Sequence, residues 1–306
     1  MEVQRFEKDL FAIDSNHVDK MLPMLSRKYP RFLQDFIYNI MALPHHPDSL
    51  KVVDDNIASF ISSYQSMKDT SDNVFASFDL VSTEVKRGMQ FIKYYFPEYK
   101  LPSKLITFIG PLNSYGNVVT SDALAVGLQM YMGKNYSYYG TMAFQEMYPG
   151  YISRRFSKEY IPVNCIKSLL DDLYPDNSVG LNLIGQIVES GKRLYILDQL
   201  MPETADTLKT GYSKLQLEGC YENERTIWSH FVKDDLLFSN DPSTTRDYMN
   251  DAPMTQAFGK ESPGAIGQFV GWQIVKKWME KHDKTTLKML MQTSSKTIFE
   301  EAKYKP

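Results

Sequence analysis

Apolar residues recur every three to four positions along most of this chain, and the clearest example is Leu181–Pro202, LNLIGQIVESGKRLYILDQLMP. Leu183, Ile184, Ile187, Val188, Leu194 and Tyr195 fall on one face together with Gly191, which predicts a single helix, with Pro202 either stopping it or starting the next one. Glycine costs about 1 kcal/mol against alanine inside a helix, so Gly191 predicts that a backbone or a bulky side chain lies close. The stretch Glu261–Lys281 repeats the theme. Ile266, Phe269, Val270, Ile274 and Trp278 lie near one face, with Gly267 and Gly271 four apart. Small residues at that spacing let helices approach, so the two glycine-bearing helices are expected to pack as a pair.

The same pattern read in chain order makes Met1 to Tyr99 helical. Phe6, Leu10 and Phe11 form one short face, and Pro30 opens a helix bearing Phe32, Phe36, Ile37 and Ile40. Leu43–Ser49 is a proline-marked loop from which Asp48 or Ser49 caps a helix with Val52, Val53, Ile57, Phe60, Ile61 and Tyr64 inward. Phe75 and Phe78 sit in a short helix, and Ser82 caps another ending at Pro97. At Leu101 the pattern changes. KLITFIG (Lys104–Gly110), NVVT and ALAVGLQMYMG (Ala123–Gly133) are rich in β-branched and aromatic residues and predict a small sheet of three strands. Asn135–Arg155 is expected to be a long tyrosine-rich loop. Helices resume at Pro162–Tyr174, at Met201–Tyr212, and from a capping box at Ser213–Gln216 through to Leu237. Pro242–Ala257 reads as loop with room for a short helix. Asp283 and Thr293–Ser294 cap the last two helices.

The chain has 306 residues and a net charge near −3, enough for a sizeable core, with no basic block to favour nucleic acid. No apolar run approaches the roughly 18 residues of a membrane span, and Met1 leads straight into charged residues rather than a signal peptide. Cys165 and Cys220, the two cysteines, make either one disulfide or two buried thiols. The 20 Tyr, 17 Phe and 3 Trp are numerous enough for some to line a groove.

No nucleophile or cofactor motif is present. His17, His45, His46, His230 and His282 include no pair four apart, so HExxH is missing, and no metal is expected. GAIGQFVG follows no strand and is not a dinucleotide fingerprint, and no cofactor is predicted. Carboxylates remain. Glu189 either pairs with Arg193 one turn on or points into a cleft as a ligand or acid/base group. Glu218, Glu222 and Glu224 form either a solvated acidic face or, turned inward, a site with a raised pKa. With Tyr212, Trp228 and Trp272 as aromatic neighbours, the candidate cleft residues are Glu189, Glu222, Glu224, Tyr212, Trp228 and Trp272. For the tryptophans, helical spacing makes core packing the plain alternative.

Several long motifs carry a resemblance. FEKDLFAID with LSRKYPRF, YPGYI, RRF, EYIP, LYILDQLMP, TGYSKLQLEGCYENERTIW, DLLFS, APM, PGAIGQFVGWQIVKKWM and the closing YKP resemble the gliding motility-associated lipoprotein GldB family of Bacteroidetes. The match covers nearly the whole chain and is strongest from Tyr148 to Pro306. It implies a lipoprotein on the cell envelope facing the periplasm, tied to motility and secretion. Its leader and lipidated cysteine would precede Met1, so that a membrane is met only through that lipid. The family is itself similar, distantly, to zincin peptidases. That relation would put Pro162–Tyr174 in the HExxH position and Glu189-Ser-Gly191 in the third-ligand position, leaving a scaffold with its glutamate and without its histidines.

The expected fold is α+β and predominantly helical, a degenerate zincin-like scaffold in one domain over 1–306. A helical part (1–100) precedes a small sheet (101–133) and a helical C-terminal part (134–306). The expected function is a non-catalytic envelope lipoprotein that binds a protein partner or a peptide or cell-wall ligand. The alternative is an active envelope hydrolase using an unrecognised carboxylate or metal site. A cytoplasmic helical binding protein comes third.

Overall fold

The computed structural model describes residues 1–46 and 49–306. Asp48, one of the two expected caps, lies outside the described residues. The fold is α+β and mostly helical with one four-stranded sheet. The chain divides into two compact units, residues 1–86 with 100–169, and residues 87–99 with 170–306.

In the first unit the sheet runs β1 (Glu2–Arg5), β2 (Lys104–Phe108), β4 (Ala123–Gly127), β3 (Asn117–Val119). β1 and β4 flank β2 in parallel, with Val3 opposite Leu105 and Leu105 opposite Leu124, while β3 pairs antiparallel with β4. The expectation of helix from Met1 is therefore corrected. The first four residues after Met1 add an edge strand that carries one large apolar residue, Val3, too little for an alternation to be visible. All of β4 is buried, as a central parallel strand should be. β4 ends at Gly127, and Leu128–Met130 is a 3-10 turn, so the third predicted strand is shorter than its apolar run.

α1 (Phe6–Leu10) follows β1 directly, and Phe6 meets the rings of Tyr29, Phe32 and Phe36 at 4.9–5.1 Å between centroids. These come from the ends of α2 (Val18–Lys28) and from α3 (Phe32–Gln34), which runs on as a π-helical turn to Ile40. Phe108 of β2 closes the same aromatic core. Glu7 is wholly buried there, paired with Arg5 at 2.5 Å and accepting from the Thr107 hydroxyl at 2.6 Å. α4 (Leu50–Val74) buries Val53, Ile57, Phe60 and Ile61 as expected, but Val52 is exposed. Ser49 precedes α4 without capping it, because its hydroxyl donates back to the carbonyls of His46 and Pro44. Phe75 and Phe78 are buried in the turn before α5 (Asp79–Tyr95), not in a helix of their own, and α5 starts at Asp79 rather than after Ser82. The tyrosine-rich stretch is not a plain loop either. A 3-10 turn at Ser137–Gly140, α6 (Met142–Met147) and α7 (Gly150–Ser153) wrap a cluster in which Tyr139 stacks on Phe144 and both meet Phe156. α8 (Ile161–Leu173) follows.

The second unit is built on α9 (Leu183–Leu200) and α14 (Ile266–Lys281). Asn182 caps α9 by accepting from the Gly185 amide at 3.1 Å. The helices touch backbone to backbone. A Cβ placed on Gly191 would stand 2.2 Å from the Gly271 carbonyl carbon, and one on Gly271 would stand 1.8 Å from the Ile187 oxygen. Gly267 is occupied in the same sense by Met249 Sδ at 2.4 Å. Around this pair lie α10 (Asp206–Thr210), α11 (Lys214–Glu222), α12 (Glu224–Lys233), α13 (Pro242–Met249), α15 (Leu287–Gln292) and α16 (Ser295–Ala302). The capping box at Ser213 and Gln216 forms as the sequence implied, but Asn223 breaks the expected long helix into α11 and α12. Pro242 opens α13 at its first turn. Thr286, not Asp283, caps α15, and Ser294 caps α16.

Candidate functional site

All six candidate residues belong to the second unit, and each has a defined environment. The carboxylate of Glu189 pairs not with Arg193 but with Lys192, at 2.7 Å. The Lys192 side chain is 2% exposed, and its ammonium also donates to the carbonyls of Thr293 and Met291 at 3.2 and 3.3 Å. Arg193 turns to Asp171 and the Tyr174 carbonyl instead. Glu189 thus faces a buried cation, which apolar periodicity could not show because Lys192 breaks it. Tyr212 is buried, and its hydroxyl donates to the Ala265 carbonyl at 2.8 Å. That bond steadies a residue in the left-handed region, φ 50°, directly before α14. Burial drives the Tyr212 phenol well above its ordinary pKa.

Glu222 is exposed on α11. Glu224 and Trp228, at i and i+4 on α12, meet at one residue. The Tyr304 hydroxyl donates to Glu224, and the Tyr304 ring stands edge-on to Trp228 at 5.0 Å. Trp272 is fully buried on α14, and the ammonium of Lys276, one turn further, lies 3.4 Å above its ring centroid.

Trp272 and Glu224 border a cluster that the sequence reading did not single out. Lys209 on α10 is 1% exposed in its side chain and ion-pairs with Asp198 of α9 at 2.5 Å and Asp206 at 3.2 Å. Burial lowers the pKa of Lys276. Asp198 and Asp206 raise it again, Lys209 lowers it, and Glu224 raises it. Tyr221 of α11 is pushed up to about 12, first by burial and then by Asp206, Asp198 and Glu224, while the Gln273 amide draws it back. Five charged groups, a tyrosine and an indole from five helices therefore share one electrostatic environment. Such a set can bind polar groups through both acceptors and donors. The signal in the sequence was faint: Lys209 lies within a short polar helix, and Asp198 reads as an ordinary polar position of α9.

One histidine and the two cysteines lie within the packing of the helices. His230 bridges the Asp234 carboxylate and the Tyr248 hydroxyl, each at 2.7 Å, and joins α12 to α13. Cys165 and Cys220 are free and buried, so the two-thiol alternative holds. Burial raises both, Cys220 to about 12. Among the described residues no group of three or more His, Cys, Asp and Glu side chains is placed to hold a metal, and no helix is long and apolar enough to cross a membrane.

No curated protein and no solved structure matches the chain. One family does, described as gliding motility protein GldB, and its match runs over residues 1–306. Every motif that carried the resemblance lies inside that span, and the chain belongs to the GldB family of gliding motility proteins.

Proposed function

We propose that this protein is a non-catalytic lipoprotein of the cell envelope, facing the periplasm, that serves gliding motility or its associated secretion by binding a protein partner or a peptide or cell-wall ligand. Family membership supports the envelope and the motility link. The observation that carries the non-catalytic part is the Lys192–Glu189 pair. In the distant likeness to zincins, Glu189 stands where a third metal ligand would, and α8, IPVNCIKSLLDDL, stands where the two histidines would. Here the carboxylate is committed to an ammonium that is itself buried and held by two backbone carbonyls. To ligate a metal, Glu189 would have to leave that buried cation without its countercharge, a costly step. A peptidase-like frame whose ligand position is closed by a lysine suits recognition rather than hydrolysis.

The test is metal content of the purified protein, with melting curves in the presence and absence of zinc, for the wild type and for Glu189→Gln. Substoichiometric zinc and an unchanged melting temperature are expected. Stoichiometric zinc that disappears in Glu189→Gln, together with zinc-dependent cleavage of peptides, would sink the proposal and favour the hydrolase.

A further inference from the structure

We propose that the tyrosine-rich surface around Lys134, Tyr136, Tyr138, Met142 and Lys158 rests on an anionic phospholipid bilayer. The inner side of this stretch is the packed cluster of Tyr139, Phe144 and Phe156. Its outer side is amphipathic. Met142 is 80% exposed and Tyr138 41%. The Tyr136 and Tyr138 rings stack with 6.5 Å between centroids, and neither hydroxyl makes a hydrogen bond among the described residues. The Thr141 amide donates to the Tyr138 carbonyl at 3.1 Å, so α6 begins, at Met142, beside that residue. Cations join the same stretch from a second segment. The antiparallel bridge between Met132 and Ser157, with the Gly133 amide donating to the Phe156 carbonyl at 2.9 Å, brings Lys134 alongside Arg154, Arg155 and Lys158. Lys134 and Lys158 are exposed, with no ion pair or hydrogen bond among the described residues. Over residues 133–160 four cations stand against Glu146 and Glu159, a net +2 in a chain whose net charge is −3.

Charge and amphipathicity together select the occupant. A bilayer offers phosphate at its surface and hydrocarbon just beneath. Tyrosine suits that boundary, because its ring is apolar and its hydroxyl stays wet. Lysines near an anionic membrane are drawn to it over about a Debye length. A protein partner would have to supply a recess for Met142 and carboxylates set against both lysines, whereas a fluid bilayer adapts to all of them. The outer face of α2 also exposes Lys20, Met24 and Arg27. Asp19 on that helix, and Asp54 and Asp55 of the neighbouring α4, offset its charge, and it presents no exposed ring. It serves as the comparison.

The binding reading above does not depend on this contact and stands or falls separately. The test uses the 306-residue chain and co-sedimentation with vesicles. One set is phosphatidylcholine alone and the other carries about 30% phosphatidylglycerol. Binding is expected to the anionic vesicles only, and to fall between about 50 mM and about 500 mM salt. Lys134→Gln combined with Lys158→Gln should weaken it by about ten-fold or more, and Met142→Ser by about three-fold or more. Lys20→Gln combined with Met24→Ser should bind as the wild type. Thermal melting shows that the variants are folded. As a second readout, Met142→Cys carrying a polarity-sensitive fluorophore should shift to the blue on anionic vesicles, and Met24→Cys should not; Cys165 and Cys220 are buried. No binding to anionic vesicles, equal binding to neutral ones, or indifference to loss of both lysines would overturn the proposal. So would self-association of the chain that Met142→Ser abolishes, which would give the surface to a second copy.

Discussion

Gly271 shows how much one side chain can decide. A methyl group there would stand 1.8 Å from the Ile187 oxygen, and the helix axis would have to move, because the obstacle is backbone and not the end of a flexible side chain. Gly191→Ala meets the Gly271 backbone at 2.2 Å. Overpacking of a well-filled interior costs about 1–3 kcal/mol where side chains can shift, and both substitutions should exceed that, at about 3 kcal/mol or more. Gly219 on α11 is the control, since a Cβ there meets nothing within 4 Å. Gly219→Ala should stabilise the protein by about 0.5–1 kcal/mol through helix propensity alone. Urea unfolding measures all three. Equal small effects at Gly271 and Gly219 would show that the helices are not in backbone contact.

At the scale of elements, the helix pair was legible because two independent signals agreed: a 3.6-residue apolar period and glycines where the period needed bulk. The capping box at Ser213 and the strands β2 and β4 were legible for similar local reasons. β1 was not, because an edge strand of four residues needs few apolar side chains and its partner lies a hundred residues away. Asn223 was not, because a helix break without Pro or Gly has no strong punctuation. For the candidate site, sequence spacing named Glu189, Glu224 and Trp272, but the one ion pair it offered Glu189, with Arg193, is not the one formed, since i,i+3 and i,i+4 pairing are both open on a helix and burial chose Lys192. The Asp198–Lys209–Lys276 cluster was beyond the sequence. Its members span 78 residues and are joined only by the way α9, α10 and α14 pack.

For the whole molecule, the clearest expectation concerns alkaline pH. Tyr131 and Tyr212 are held above the ordinary phenol value of 10.0, and Cys165 and Cys220 above the ordinary thiol value of 9.0, in each case chiefly by burial. Above pH 9 the unfolded chain therefore loses these protons while the folded chain keeps them. The stability they confer is complete below the unfolded values and declines as pH climbs through them toward the folded ones. The urea midpoint should fall between pH 9 and pH 11. A midpoint that stays level over that range would mean that these groups are solvated.

The two cysteines also have a use that their static description hides. One belongs to each compact unit, Cys165 to the first and Cys220 to the second. With a pKa near 12, Cys220 has about one part in 10⁴ as thiolate at pH 8, so a thiol reagent waits for its unit to open. Alkylation followed by mass spectrometry of the two peptides should give two separate labelling rates under native conditions, both far below that of an exposed thiol. Immediate labelling of either would show that its burial is wrong. The chain thus carries its own pair of stopwatches, one timing the breathing of each unit, without any residue having to be introduced.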